Sequence, residues 1–390
     1  GTVMNLHMQL VRTGTAADWF KLGKLLLTIP GGRPAAERAF ARTLYLDRSY
    51  KDQIVQARKD AVVTPPISKT RADQSGDSAT TRDALDPRDP DKQVMGPQIS
   101  GEVDESAWGK QQPRQMAEAV AGLKAFAQTV TQKIDPKLTS YETQYFLFYS
   151  DLTQPEAQKW VKVLDRMYAR LAQLFNVPIN ENIWHGKALV FVFQREEDYL
   201  NFEIKMHGTV AAGTAGMCHA FGSGDVHIAF YRQPNDLDFA HVLVHESVHG
   251  FVFRYRSSKT IPSWANEGLA ETIASELVPQ PGITQSGTAQ ARADLQTRRS
   301  LGDFFKAEHI VAWQYPVART LTEFMIHQSR TGYVAFVDGI KDGLSWDESM
   351  RTKYGVSTEQ LVNAYGQSVG VSGLRAGDKN PNGQTGNPNE

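Results

Sequence analysis

Phe239-Ala240-His241-Val242-Leu243-Val244 and Gly250-Phe251-Val252-Phe253 make a proline-free apolar run, and His245-Glu246-Ser247-Val248-His249 sits at its centre. The run suits a helix. Side chains four apart on a helix are separated by only about 40° around its axis, one turn above the other. His245 and His249 can therefore grip one metal ion, with Glu246 projecting beside them as a base toward water. Such a site takes three protein donors and leaves a fourth position open. Whatever the fold, it has to bring a third donor to this helix.

A metzincin arrangement would place Gly at position 252 and His at position 255, but the chain has Val252 and Tyr255 there. Pro262-Ser263-Trp264-Ala265-Asn266-Glu267-Gly268-Leu269-Ala270-Glu271 reads instead as a turn and a second helix, with carboxylates at i and i+4 on one face. That spacing lets Glu267 reach the metal. Glu271, one turn on, either holds a ligand imidazole from behind or is a solvated helix carboxylate. His241, four residues before His245, is a rival donor. Because Glu267 already completes a set, a core or surface histidine is expected at 241.

The two motifs together resemble the gluzincin zinc metallopeptidases, with their H-E-x-x-H and N-E-G-x-A-E helices. The resemblance is closest to bacterial peptidase-MA-like domains, whose second motif reads W-x-x-E-G-L-A-E. It extends from about Gln144 to about Ser368: Gln144–Ser150 is similar to the opening strand, and Gly332-Tyr-Val-Ala-Phe and Tyr354–Leu361 to closing helical segments. The resemblance implies an α+β catalytic domain with a small mixed sheet, Zn2+ held by His245, His249 and Glu267, and Glu246 as general base. It also implies a downstream oxyanion donor. Tyr315, in Trp313-Gln314-Tyr315-Pro316 before a helix through Leu321 and Phe324, takes that place, with Tyr333 as second candidate and an ordinary packed tyrosine as the alternative. Related domains have Tyr-Ala-x-Ser here; Pro316 and Ala318 depart from it. The seventeen residues between His249 and Glu267 are fewer than in the aminopeptidase branch, and no amine-binding signature stands out.

The function implied is hydrolysis of peptide bonds in a peptide or protein substrate. Two other readings stand beside it: a metal-binding pseudo-peptidase or adaptor that holds a protein partner, and a zinc hydrolase of a non-peptide amide or ester. A net charge of −1 gives no electrostatic case for nucleic acid or an anionic membrane. The single cysteine, Cys218, rules out an internal disulfide and a thiolate-rich structural zinc site. No apolar run approaches the ~20 residues of a membrane span. The chain starts at Gly1 rather than Met, which reads as a processed form with any leader removed; the compartment stays open, an extracytoplasmic one included.

Four regions are expected. Residues 1–62 are helical; Trp19-Phe20-Lys21-Leu22-Gly23, Leu26, Ala36, Phe40 and Leu46-Asp47 resemble one tetratricopeptide repeat with an insertion at Gly31-Gly32. One repeat cannot bury its own face, so it must pack on Thr2–Arg12 or on the catalytic domain, or take a protein partner. Residues 63–112, dotted with Pro and Asp, read as an extended linker with Trp108 as its one large anchor. Residues 113–370 form the catalytic domain, and 371–390 a disordered tail. Within the domain, helices are expected over Met116–Ile134, from a Thr153/Glu156 capping box through Phe175, and over Arg195–Met206. Ala188–Phe193 reads as a central strand. Thr214–Ala220 and Val226–Tyr231 read as a hairpin turning at Gly222–Asp225. Its Thr214-Ala215-Gly216-Met217 stretch is the candidate edge for an extended substrate, an ordinary edge hairpin being the alternative.

Overall fold

The computed structural model describes residues 15–27, 36, 39–40, 43, 47–60, 84–86, 89–94, 98–101, 107–178 and 180–377. The expectations placed on Thr2–Arg12, Gly31-Gly32, Leu46 and the tail beyond residue 377 lie outside them. Helices α1 (Ala16–Leu27) and α2 (Lys51–Asp60) come first. A short hairpin follows, β1 (Ala84–Asp86) and β2 (Asp89–Val94), then β3 (Gln98–Ser100) and helix α3 (Pro113–Lys133). Next are β4 (Thr139–Glu142), β5 (Phe146–Ser150), α4 (Gln154–Phe175), β6 (Ala188–Phe193) and α5 (Glu196–Phe202), which runs on into a π turn at Glu203–His207. The hairpin β7 (Gly216–Phe221) and β8 (Val226–Tyr231) leads to α6 (Asp236–Arg254), α7 (Ser263–Leu277) and α8 (Pro281–Arg298). Four further helices close the described chain: α9 (Gln314–Gln328), α10 (Arg330–Lys341), α11 (Trp346–Ser349) and α12 (Thr358–Ser368). No helix of the described residues is long and apolar enough to cross a membrane.

The fold is α+β around one mixed sheet of six strands in the order β3-β7-β8-β6-β5-β4. Strands β5, β6 and β8 are parallel; β4 runs against β5 and β7 against β8, while β3 lies parallel to β7. Covered on both faces, β6 is apolar at every position, Ala-Leu-Val-Phe-Val-Phe, and all six residues are buried. Its period of two sorts them. Ala188, Val190 and Val192 join Phe146, Phe148, Cys218 and Ile228 under α4, α6 and α7. Leu189, Phe191 and Phe193 join Leu147, Met217 and Ala229 under α3 and α5.

Helix α4 starts at Gln154 with Pro155 in its first turn, but the capping box does not form: Thr153 makes no side-chain cap bond. Glu156 is drawn instead to the Arg232 guanidinium, 2.6 Å away. The charged partner outcompetes a neutral backbone N–H.

Of the stretch read as a linker, 63–112, residues 63–83, 87–88, 95–97 and 102–106 lie outside the described ones, and described parts of the rest contribute to the domain that follows. Gln98–Ser100 pairs in parallel with His219–Phe221 of β7. Trp108 Nε1 donates to the Phe253 carbonyl at 3.3 Å, its ring meets Phe253 edge-on, and the Arg254 guanidinium lies 4.2 Å over it. The part of the expected tail that is described, from Val371, is packed. Val371 and Leu374 are buried, and the Arg299–Leu301 backbone hydrogen-bonds to Arg375. Apolar side chains this close to the core have no reason to stay in water.

The N-terminal helices have their own small core of Trp19, Leu22, Leu26, Phe40, Ile54 and Ala57. Ala212, from the loop before β7, is part of it, with Val210 packed against it. The face that one repeat leaves open is thus covered in part by the domain carrying the sheet.

Trp108→Ala should lower the unfolding free energy by roughly 2–3 kcal/mol, because a ring, a hydrogen bond and a cation–π contact go together. Urea denaturation reads this directly, and a loss below about 0.5 kcal/mol would show the segment to be dispensable.

Candidate metal centre

Asn235 starts α6, its side chain accepting hydrogen bonds from the Leu237 and Asp238 backbones at 2.8 and 3.4 Å. From Phe239 to Arg254 every residue of the helix is buried, so it shows no polar face, as a helix enclosed on all sides should. Helix α7 follows a turn at Pro262 and crosses it. Gly268 lets α7 approach α9: a Cβ there would run into Thr322 and the Ala318 carbonyl. The glycine beside Glu267 therefore sets how closely α7 packs on α9.

The two helices bring His245, His249 and Glu267 together. Glu267 Oε2 is 3.2 Å from His245 Nε2 and 3.6 Å from His249 Nε2, and one donor atom from each residue lies within 4.8 Å of the others. Donors about 2.0–2.1 Å from a tetrahedral metal sit roughly 3.3 Å apart, a separation these two distances bracket. His249 has both ring nitrogens buried without a hydrogen bond. An imidazole left so in a dry interior is costly unless something takes its lone pair. The residues fit a metal ion.

Glu271, one turn beyond Glu267, lies on the far side of His245. Its Oε1 is 3.0 Å from His245 Nδ1 and 3.3 Å from His241 Nε2. His241 is thereby a buried, paired histidine. With His245 and Glu271 it makes a second close group, but one using the side of His245 turned away from Glu267. Burial alone would disfavour the His245 imidazolium. The carboxylates on its two nitrogens reverse this and hold its pKa at about 10. Burial likewise pushes the Glu267 carboxyl up, and His249 and His245 overcome it, holding that pKa at about 2.

Glu246 is fully buried, and neither carboxylate oxygen has a hydrogen-bond partner. Burial, and then the Glu267 charge, push its pKa well above the usual carboxylate range; His245 and the nearby Cys218 backbone N–H act in the opposite sense. Tyr315 lies within the first turn of α9 rather than before it, 3% exposed in the main core. Tyr333, on α10, is fully buried; its hydroxyl has no hydrogen-bond partner, and burial raises its pKa.

The expected substrate edge is not open. Thr214–Ala220 is buried throughout, β3 pairs with the second half of β7, and the space a Gly216 side chain would fill is taken by the Phe230 ring. A cleft of about 680 Å³ opens beside His241 and Glu271, walled by Val278, Ile283, Trp313 and Pro316. The larger cavity, about 940 Å³, lies near Trp108 and Arg254 at the other end of α6; neither is lined by the triad.

Sequence reasoning passed over a second buried cluster, on the opposite face of the sheet. His219 Nε2 is 2.7 Å from Glu203 Oε2, His207 stacks on His219 at 4.0 Å, and His227 faces His219 across the β7–β8 ladder. Burial pushes His207 down to about 2 and His227 to about 4. Among the described residues, no three donor atoms of this cluster converge as those of the triad do. The parity of β7, with Cys218 facing α6 and its neighbours facing away, was the available signal.

Compared as a whole with protein-family models the chain finds no match, and it matches no curated protein.

Purified protein should carry about one equivalent of zinc per chain, and His249→Ala should lose most of that zinc by elemental analysis. Glu271→Gln should weaken metal binding by about 10–100-fold, since it supports His245 from behind. At pH 7 the metal-free protein holds a proton on His245 that a metal at Nε2 must displace. Metal uptake should then release about one proton and weaken as pH falls, which calorimetry in buffers of different ionisation enthalpy reads.

Proposed function

We propose that the chain is a zinc-dependent hydrolase of the gluzincin type, cleaving peptide bonds with Glu246 as general base. One observation carries the reading: the fully buried Glu246 carboxyl, without a hydrogen-bond partner, sits next in sequence to a converging His245–His249–Glu267 donor set. Two nitrogens and one carboxylate oxygen suit zinc, with a fourth position left for reactant. Bound there, zinc supplies Lewis acidity, acidifying water and polarising a substrate carbonyl.

The chain's own residues do the rest. Glu271 Oε1, 3.0 Å from His245 Nδ1, would steady that ring with Nε2 on the side of Glu267, where His245, His249 and Glu267 would hold the ion. Glu246 takes a proton from the attacking water and returns it to the departing amine. Burial pushes its pKa up in the metal-free protein, and a dication at the neighbouring donors would lower it. Burial of all four residues excludes bulk water from these transfers. Tyr315 and Tyr333 are the two candidates for a donor to the developing oxyanion.

A purely structural metal site has no use for Glu246. An unpartnered buried carboxyl only destabilises, and an adaptor would do as well with a leucine at 246. That argues for hydrolysis over a metal-retaining pseudo-peptidase.

Glu246→Gln keeps shape and leaves the donors in place. Turnover of a proteome-derived peptide library should fall by at least ~10²–10⁴ with metal retained; equal turnover would remove Glu246 as the base. Tyr315→Phe and Tyr333→Phe should separate the two oxyanion candidates, the true donor costing about 10²–10³ in kcat.

A further inference from the structure

Three carboxylates meet away from the metal centre, where parallel strands β5 and β6 end. Asp151 follows β5 directly, Asp198 lies in the first turn of α5 after β6, and Asp135 stands just beyond α3. Ser150 and Val192 are paired in the sheet, so Asp151 and the entry to α5 emerge side by side. One oxygen from each of the three lies within 4.8 Å of the others. Asp135 and Asp198 are 7% and 4% exposed; Asp151 is half-buried and reaches solvent.

The hydrogen bonds leave this cluster incomplete. Asp151 Oδ1 accepts from the Gln194 backbone at 2.7 Å, and Asp135 Oδ1 from the Lys137 backbone at 3.0 Å. Arg195 donates to both oxygens of Asp198, at 2.7 and 2.8 Å. Asp135 Oδ2, however, is buried without any hydrogen-bond partner. Among the described residues three negative charges gather around one guanidinium, Arg195, so two remain unbalanced. Burial, with Asp135 and Asp198 adding to it, pushes the Asp151 carboxyl upward. Like charges held this close in a half-dry setting destabilise the fold unless a cation joins them.

We propose that Asp135, Asp151 and Asp198 form a second, oxygen-only cation site that takes a hard divalent ion, calcium by preference. The donors are all carboxylate oxygens, which select calcium or magnesium over zinc. They come from three separate segments in an irregular set, and calcium accepts such geometry where magnesium demands a near-ideal octahedron. The solvent-facing side at Asp151 admits the waters that complete its coordination. The ion balances the two uncompensated charges and occupies the unpartnered Asp135 oxygen. It ties the ends of α3 and β5 to the start of α5, and the site is independent of whatever the His245 centre does.

Full-length protein freed of calcium and titrated with calcium chloride should take up one ion per chain saturably, with a rise in Tm. Asp151→Asn and, separately, Asp135→Asn should weaken uptake at least roughly tenfold and cancel the Tm rise. Without calcium both variants should melt no lower than the parent, because each removes one of the like charges. Absence of saturable uptake by the parent overturns the proposal and leaves Arg195 as the cluster's only counter-charge. So does an affinity within about twofold of the parent in both variants. Uptake abolished by His249→Ala but not by the aspartate changes would place the ion at the other centre and overturn it equally.

Discussion

Glu267 and Glu271, one turn apart on α7, hold the imidazoles of α6 between them, and much of the fold is arranged to make that pairing tolerable in a dry interior. Removing a carboxylate from water costs several kcal/mol even after relaxation, and the cost is offset only by close opposite charge or a metal. Here the opposite charge is His245, with a carboxylate near each nitrogen. The arrangement is rigid because both helices are enclosed: α6 under β7, β8 and α4, and α7 between α6 and α9. Glu246 is the exception. It is held equally firmly, and neither of its carboxylate oxygens has a hydrogen-bond partner.

The sheet makes the asymmetry possible. Alternation along β7 sends Cys218 toward α6, and sends Met217 and His219 to the opposite face. Two polar clusters can therefore occupy one short hairpin without mixing. On one face the histidines gather around carboxylates that can share a metal. On the other, Glu203 Oε2 pairs with His219 while its Oε1 has no hydrogen-bond partner, and burial pushes the His207 and His227 pKa values down. Three imidazoles near one another are thus no guarantee of a metal centre; convergence of their lone pairs decides.

How much of this was legible in the sequence depended on whether a feature is set by local spacing or by distant partners. The helix around His245 and the carboxylate pair at Glu267 and Glu271 could be read because helix geometry fixes which side chains share a face. Strand β6 could be read because six apolar residues in a row, rich in Val and Phe and too few for a helix, suit a strand covered on both sides. The Thr153/Glu156 cap could not, since Arg232, seventy-six residues along the chain, competes for the carboxylate. Strand β3 was hidden for a related reason. Gln98-Ile99-Ser100 is too short and polar to announce itself, and its pairing is supplied by β7. The packing of Val371 and Leu374 was masked by the polar sequence after them. The burial of the Thr214–Met217 stretch was not written in those small residues, because Phe230 from the neighbouring strand fills the gap at Gly216.

The loop from Gly208 to Ala215 connects the N-terminal helices to the centre more directly than chain order implies. Ala212 is buried in the same small core as Trp19 and Phe40. Two residues on, the Thr214 hydroxyl bonds to the Tyr199 hydroxyl at 2.6 Å and donates to the Ala211 carbonyl, fixing the loop against α5. Two residues further, Gly216 begins β7, the strand that packs on α6. A displacement of the N-terminal helices would be felt through this short, hydrogen-bonded path, because a packed interior transmits strain instead of absorbing it. The open face of a lone helical repeat is usually read as a place for a partner. In this chain part of that face packs on Ala212 and Val210, in the loop that leads into β7.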